Sequence, residues 1–227
     1  MIDLHMHTVY SDGELIPAEL ARRARKAGYK AVAFTDHVDH SNIDHTVNSL
    51  LKMVHDYSLY LDIELLAGVE LTHVPPPLIP DLVKKARSLG AQIVLAHGET
   101  IVEPVASGTN HAAIMAGVDI LAHPGLITAQ DAALAAEKNI YLEITTRKGH
   151  SLTNGHVLKL ARQNRAALVI NNDAHAPGDL VDQNFRKSVA LGAGMSEQEY
   201  VQVEQNSVDI LAGIRNYESN INGQLKT

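Results

Sequence analysis

His5 and His7 stand two residues apart near the start of the chain. On an extended strand that spacing puts both imidazoles on one face, where both can reach one ion. Similar residues recur further along: Thr35-Asp36-His37, Gly68-Val69-Glu70, His97-Gly98-Glu99, His123-Pro124-Gly125 and Asn171-Asn172-Asp173-Ala174-His175. Each ends or follows a short apolar run. Nitrogen and oxygen donors without sulfur suit zinc, manganese or iron. For any single position there is a plainer reading, a histidine in a turn or a carboxylate capping a helix. That reading has to be invoked separately each time, always at the same end of a strand. Polar groups converging on one mouth need partners, and metal ions provide them for all positions together.

The elements that must position these residues follow from the apolar pattern. Runs at 2–7, 31–36, 64–71, 92–97, 119–123, 140–145 and 167–172 are short, apolar and often β-branched, as strands buried on both faces are. Helices are expected at 17–27, 42–61, 78–89, 110–116, 129–138, 155–164 and 180–191, with one or two more over 196–217. Pro17 suits a first helical position and Gly28 a stop. Repeated strand–helix units imply a parallel sheet with helical crossovers. Seven evenly spaced strands favour a closed or nearly closed α/β barrel over an open doubly wound sheet. In either case the carboxyl ends of the strands carry the site. Nothing marks a linker or a repeat, so we expect one domain over 1–217 and a flexible tail over 218–227.

Composition narrows the chemistry. The 227 residues are 45% hydrophobic, enough for a full core. A net charge of −7, no evident basic patch, 4% aromatics and no tryptophan disfavour a long nucleic-acid substrate. The absence of cysteine removes disulfides, thiolate zinc sites and cysteine nucleophiles. The start, MIDLHMHT, is unlike a signal peptide, and no run is long enough to span a membrane, so a cytoplasmic protein is expected.

His5-Met6-His7-Thr8-Val9-Tyr10-Ser11-Asp12-Gly13 resembles the first motif of the PHP (polymerase and histidinol phosphatase) superfamily. Thr35-Asp36-His37, Gly68-Val69-Glu70, His97-Gly98-Glu99, His123-Pro124 and Asp173-Ala174-His175 resemble its remaining ligand motifs, in order, over residues 2 to about 190. The resemblance implies a distorted (β/α)7 TIM-like barrel with two to three divalent metals at the C-terminal ends of the strands. It implies a first ion on His5, His7, Glu70 and Asp173, a second on Glu70, His97 and His123, and a third on Asp12, His37 and His175. Asp12 stands where some members carry histidine. The chemistry implied is hydrolysis of a phosphate ester by a metal-bound hydroxide, with Glu70 and Asp173 at its centre.

Beyond the ligands, Arg147 and Lys148 lie just after the sixth strand, on the chain's most basic strand-end loop. Arg147 is placed to grip a phosphate with two parallel hydrogen bonds and Lys148 to act as a point charge. Tyr10 and His150 are further candidates for substrate contact. Glu143 is expected to pair with Arg147, Glu99 to orient a ligand, residues 151–154 to cap a helix, and the 97–110 segment to wall the substrate. Among histidines outside the motifs, His40 and His73 are the candidates for a role in the site. The expected function is a phosphomonoesterase acting on a small phosphorylated metabolite, histidinol-phosphate-like or a nucleotide. The alternatives are a nuclease or phosphodiesterase, a hydrolase of C–N or C–O bonds, and a non-enzymatic PHP-like interaction module.

Overall fold

In the computed structural model the backbone is described for residues 1–224 and side chains for 1–216. The strands are β1 (Ile2–Met6), β2 (Ala31–Phe34), β3 (His37–Val38), β4 (Glu64–Leu71), β5 (Ile93–His97), β6 (Ile120–Ala122), β7 (Tyr141–Thr145) and β8 (Leu168–Asn171). Between and after them run α1 (Pro17–Lys26), α2 (Ile43–Tyr57), α3 (Ile79–Ser88), α4 (Thr109–Ala116), α5 (Ala129–Lys138), α6 (Asn154–Asn164), α7 (Gln183–Gly192) and α8 (Glu197–Gln224). The order around the sheet is β1-β2-β4-β5-β6-β7-β8, all parallel, with the two-residue β3 beside the upper end of β4. The eight strands form a nearly closed, distorted TIM-like (β/α)7 barrel. At its seam β1 and β8 meet through a single bridge, Met6 to Ala174, where His7 N–H donates to Ala174 O at 2.9 Å.

The period of two along a strand puts a column of residues inside the barrel. Leu66, Gly68 and Glu70 form one such column, Ile93, Leu95 and His97 another, and Val169, Asn171 and Asp173 a third. Their lower members belong to one apolar cluster with Leu4, Ala33, Ile120 and Leu211, the last contributed by α8 from below. The upper members are the polar residues of the mouth. Leu4 lies in that inner cluster although His5 also faces the mouth, and the register of β1 against β2 shifts between Asp3 and Met6. A bulge of this kind re-aims side chains, and here it turns His5 inward above Leu4. Outer faces pack under the helices in two larger clusters.

The structure adds β3, too short to leave an apolar pattern, and ends α2 at Tyr57 rather than 61. Of the expected tail, 218–224 are the last turns of α8, and 225–227 lie outside the described residues. The reading of no basic patch is corrected: Arg22, Arg23, Arg25, Lys26 and Lys30 crowd α1 and the turn after it. Arg23 pairs with Glu19 and Arg25 with Asp62. Lys30 directly precedes β2, so this run leads to the end of the barrel opposite the ligands. Among the described residues no helix is long and apolar enough to cross a membrane.

Candidate metal centre

His5, His7, Glu70, His97, His123 and Asp173 are buried at the mouth, with His37, His175 and the 58% exposed Asp12 around them. His5 Nε2 lies 3.3 Å from Glu70 Oε2 and 3.7 Å from Asp173 Oδ1. His7 Nε2 lies 3.6 Å from Glu70 Oε2 and 3.2 Å from Asp173 Oδ1. His123 Nε2 lies 3.5 Å from Glu70 Oε1 and 3.6 Å from Asp173 Oδ2. Asp12 Oδ1 stands 3.5 Å from His37 Nε2 and 3.2 Å from His175 Nε2. Two ligands about 2.0–2.2 Å from an ion at near-tetrahedral angles are roughly 3.3–3.6 Å apart. Most of these separations fall at or near that spacing, and they are longer than ordinary hydrogen bonds.

The donors also lack other partners. His5 Nε2, both nitrogens of His7, Glu70 Oε1, His123 Nδ1 and Asp173 Oδ1 are buried without a hydrogen bond, and Glu70 Oε2 meets His37 Nδ1 at 2.8 Å without hydrogen-bond geometry. Buried polar atoms in native proteins are almost always satisfied, so this concentration fits a bound cation. The donor atoms group as His7, Asp12, His37 and His175; as His5, His123 and Asp173; and as His5, His7 and Glu70. Thus the first and third expected sets come together in large part. The second does not gather as one set: His123 joins His5 and Asp173, and His97 Nε2 faces Glu103 Oε2 at 3.1 Å.

Charge is unsettled in the same place. Burial would raise Glu70, but His5 and His37 hold it well below the usual carboxylate range. Burial would lower His5, yet Glu143, Glu70 and Asp173 raise it well above an ordinary imidazole. His7 is pushed far down by burial and by the neighbouring His37 and His5. Asp173 is raised by burial, against the pull of His5 and His123. The backbone is strained here too: His73, His123 and Asp173 have φ of 52°, 26° and 52°. The other non-glycine residues with positive φ, Asn139 and Arg165, sit at ordinary helix ends. Strain clustered in this way is a mark of functional sites. Gly13 meets the tight turn of the first motif, where a Cβ would lie 2.4 Å from His7 O.

Supporting contacts fix the ligand rings. His5 Nδ1–H donates to Glu143 Oε1 at 2.8 Å, and Asn171 Nδ2 and the His123 backbone N–H donate to the same carboxylate at 2.8 and 3.0 Å. The expectation that Glu143 pairs with Arg147 is therefore corrected. Glu143 faces inward on β7, and Arg147, beyond the strand end, reaches Asp179 Oδ2 and Asp173 O, both at 3.3 Å. Glu99 orients no ligand either. It accepts from Gly108 and Asn110 N–H at 3.0 and 2.9 Å, fixing the start of α4. Asn154, expected among the caps of α6, turns back to β7 and exchanges hydrogen bonds with Thr145.

A cavity of about 210 Å³ opens over the ligands, lined by Asp12, His37, His97, His123, Asp173 and His175 together with Arg147, His150, His73, Thr72 and Glu103. Lys148 is exposed and Tyr10 packs edge-on against His45 at 5.7 Å; neither lines it. His73 is in the cavity and His40 is exposed on the surface. The residue that sequence reasoning missed is Glu103, inside the 97–110 segment expected to wall the site. No motif carries it, and only its place in the loop after a ligand strand pointed its way.

An α/β barrel with histidine and carboxylate donors gathered at its carboxyl mouth is the architecture of a metal-dependent hydrolase site. The PHP domain family model matches residues 3–103, which hold the ligand candidates from His5 to His97. An uncharacterized protein of Methanocaldococcus jannaschii is 51% identical over 199 residues, covering 87% of this chain and 91% of that one. A chain of an archaeal ribonuclease P solved with mature tRNA has a similar fold, with a TM-score of 0.70 at 18% identity, covering 94% of this chain and 91% of that chain. A putative histidinol phosphatase from Listeria monocytogenes gives 0.58 at 12% identity, covering 79% of this chain and 97% of that one. The chain belongs to the PHP family.

Proposed function

We propose that the chain is a metal-dependent phosphomonoesterase acting on a small phosphorylated metabolite. The observation that carries this reading is the set of buried donors without hydrogen-bond partners, open to a cavity of about 210 Å³ that Arg147 also lines. That volume suits a phosphate group and a few atoms beyond it, not a polymer. Two to three divalent ions, zinc, manganese or iron, would be held by His5, His7, Asp12, His37, Glu70, His97, His123, Asp173 and His175. When bound, such ions would polarise phosphoryl oxygens and lower the pKa of a water molecule towards neutrality.

The chain's own groups do the rest. Glu143 holds the His5 ring so that Nε2 faces the cluster. Thr72 Oγ1, 2.6 Å from His37 Nδ1, does the same for that ring. Arg147, braced by Asp179, presents its guanidinium beside Asp173 for one side of the phosphate. We take the protein to act in the cytoplasm, on a free small molecule rather than on long nucleic acid.

A nuclease or phosphodiesterase is the second reading, favoured by the fold shared with a ribonuclease P chain and by the basic run on α1. The direction of that run, away from the mouth, speaks against it. The test is a turnover screen of phosphorylated metabolites and short oligonucleotides, with manganese, zinc and iron supplied separately. Release of inorganic phosphate from a monoester is expected. Cleavage of oligonucleotides with no monoester turnover would reverse the order of the two readings.

A further inference from the structure

Three loops meet on the β5–β7 side of the mouth: 98–108 after β5, 123–128 after β6 and 146–153 after β7. Their backbones are locked together. A Cβ on Gly125 would lie 1.8 Å from Glu99 O, and one on Gly149 would lie 3.6 Å from Val102 Cγ1. Asn110 ties the first loop to the second, its Oδ1 accepting from Glu99 N–H and its Nδ2 donating to Pro124 O, both at 2.9 Å. Thr100 Oγ1 and His150 Nδ1, 2.8 Å apart, tie the first to the third.

The ridge so formed presents apolar side chains to solvent. Ile101, Val102, Leu126 and Leu152 are 53, 46, 63 and 72% exposed. Single exposed apolar residues are ordinary, whereas several gathered at the edge of a cleft mark a binding surface. Each stands within three residues in sequence of a group that lines the cavity, namely Glu103, His123 or His150. The rest of the rim is charged: Asp12 follows β1, and Arg147 turns from the third loop towards β8, where it meets Asp179. A cavity of about 210 Å³ holds a phosphate and few atoms more, so the remainder of a substrate must lie across the rim. A polar remainder laid on this ridge loses water without gaining hydrogen bonds, while an apolar one is taken out of water.

We propose that this ridge binds the alcohol part of the phosphate monoester, and that the alcohol carries an apolar group rather than being a sugar or polyol. This rests on the phosphomonoesterase reading above, and the two can fail separately. The experiment compares kcat/KM of the full-length, metal-loaded chain on hexyl phosphate and glycerol 1-phosphate, two esters of primary alcohols whose reacting ends are alike. The wild type should favour hexyl phosphate by roughly tenfold or more. Val102→Ser and Leu152→Ser should each lower that preference by roughly three- to tenfold, mainly through KM for the hexyl ester. Both side chains are exposed, so neither change disturbs the core. Leu59→Ser, an 88% exposed apolar residue on the connection leading into the opposite end of β4, should keep the wild-type preference. Equal turnover of the two esters, or an unchanged preference in both ridge variants, overturns the proposal and leaves the phosphatase reading intact. Turnover of no monoester at all overturns both. Light scattering separates the competing occupant: a wild-type dimer that the ridge variants break apart assigns the ridge to a second copy of the chain and overturns the proposal.

Discussion

Two buried charged clusters lie within one turn of chain from each other and are built on opposite terms. At the mouth, His5, His7, Glu70, His123 and Asp173 leave donor atoms without hydrogen bonds. Just below, at the barrel seam, Asp3 is fully buried and saturated. Its Oδ1 accepts from His5 N–H at 3.1 Å, and its Oδ2 from Asn172 N–H at 2.9 Å and from Arg186 Nη1 at 3.3 Å. Arg186, 0% exposed, also meets Glu204 of α8 at 2.9 Å and the Ile170 carbonyl. One strand pair thus carries a carboxylate, Asp3, satisfied by the protein's own groups, with Arg186 Nε and Glu204 Oε1 beside it held as an ion pair without a hydrogen bond, and a mouth cluster that leaves many more donor atoms unmatched. Burial alone does not distinguish the two, because both are shielded from water. The count of satisfied atoms does.

The sharpest way to break this comparison is Glu70→Gln. It removes a buried charge that the fold does not need, so turnover of the best phosphomonoester should fall by roughly a thousandfold. The melting temperature of the metal-stripped protein should not fall. A stripped variant that melts well below wild type would make Glu70 a structural residue like Asp3.

Arg186→Met should do the reverse. It strands Asp3 and Glu204, and breaking a buried pair costs about 3–5 kcal/mol. At ~2–4 °C per kcal/mol for a chain of this size, melting should drop by roughly 6–20 °C. The rise in melting temperature on adding manganese or zinc should survive in this variant, since mass action on the mouth is independent of the seam. Loss of that rise would mean the seam sets the ligand geometry.

Arg147→Ala should lower kcat/KM by roughly ten- to a hundredfold with ion content unchanged, and Arg147→Lys should restore only part. Unchanged kinetics would leave phosphate binding to the ions alone and place Arg147 with Asp179 as a loop brace.

The smallest effect concerns pH. Burial pushes Asp3 up to about 7 against the opposing pull of Arg186. Between about pH 4 and that value the folded chain holds a proton that the unfolded chain has shed, so this carboxyl's contribution to stability falls as pH rises. The stability difference between wild type and Asp3→Asn should shrink across that window in thermal melts. A constant difference would show that Arg186 keeps Asp3 ionised throughout.

The alternation of short apolar runs and helices, and the polar residue closing each run, are local patterns. From them the parallel barrel and the ligand candidates at its mouth could be read directly, β4 and α5 to the residue. Lys148 and Tyr10, expected as substrate contacts, do not line the cavity, because sequence position after a strand says nothing of which way a side chain turns. What only the tertiary structure decided are the contacts across the ring. Glu143 meets His5 over 138 positions and Arg186 meets Asp3 over 183. The bulge that lets Leu4 and His5 both face inward depends on how β1 is drawn against its neighbours when the barrel closes. Glu103 belongs to the same class. Its carboxylate finds His97 and His150 only because the loops after β5 and β7 fold over one mouth, and no period in the sequence encodes that approach.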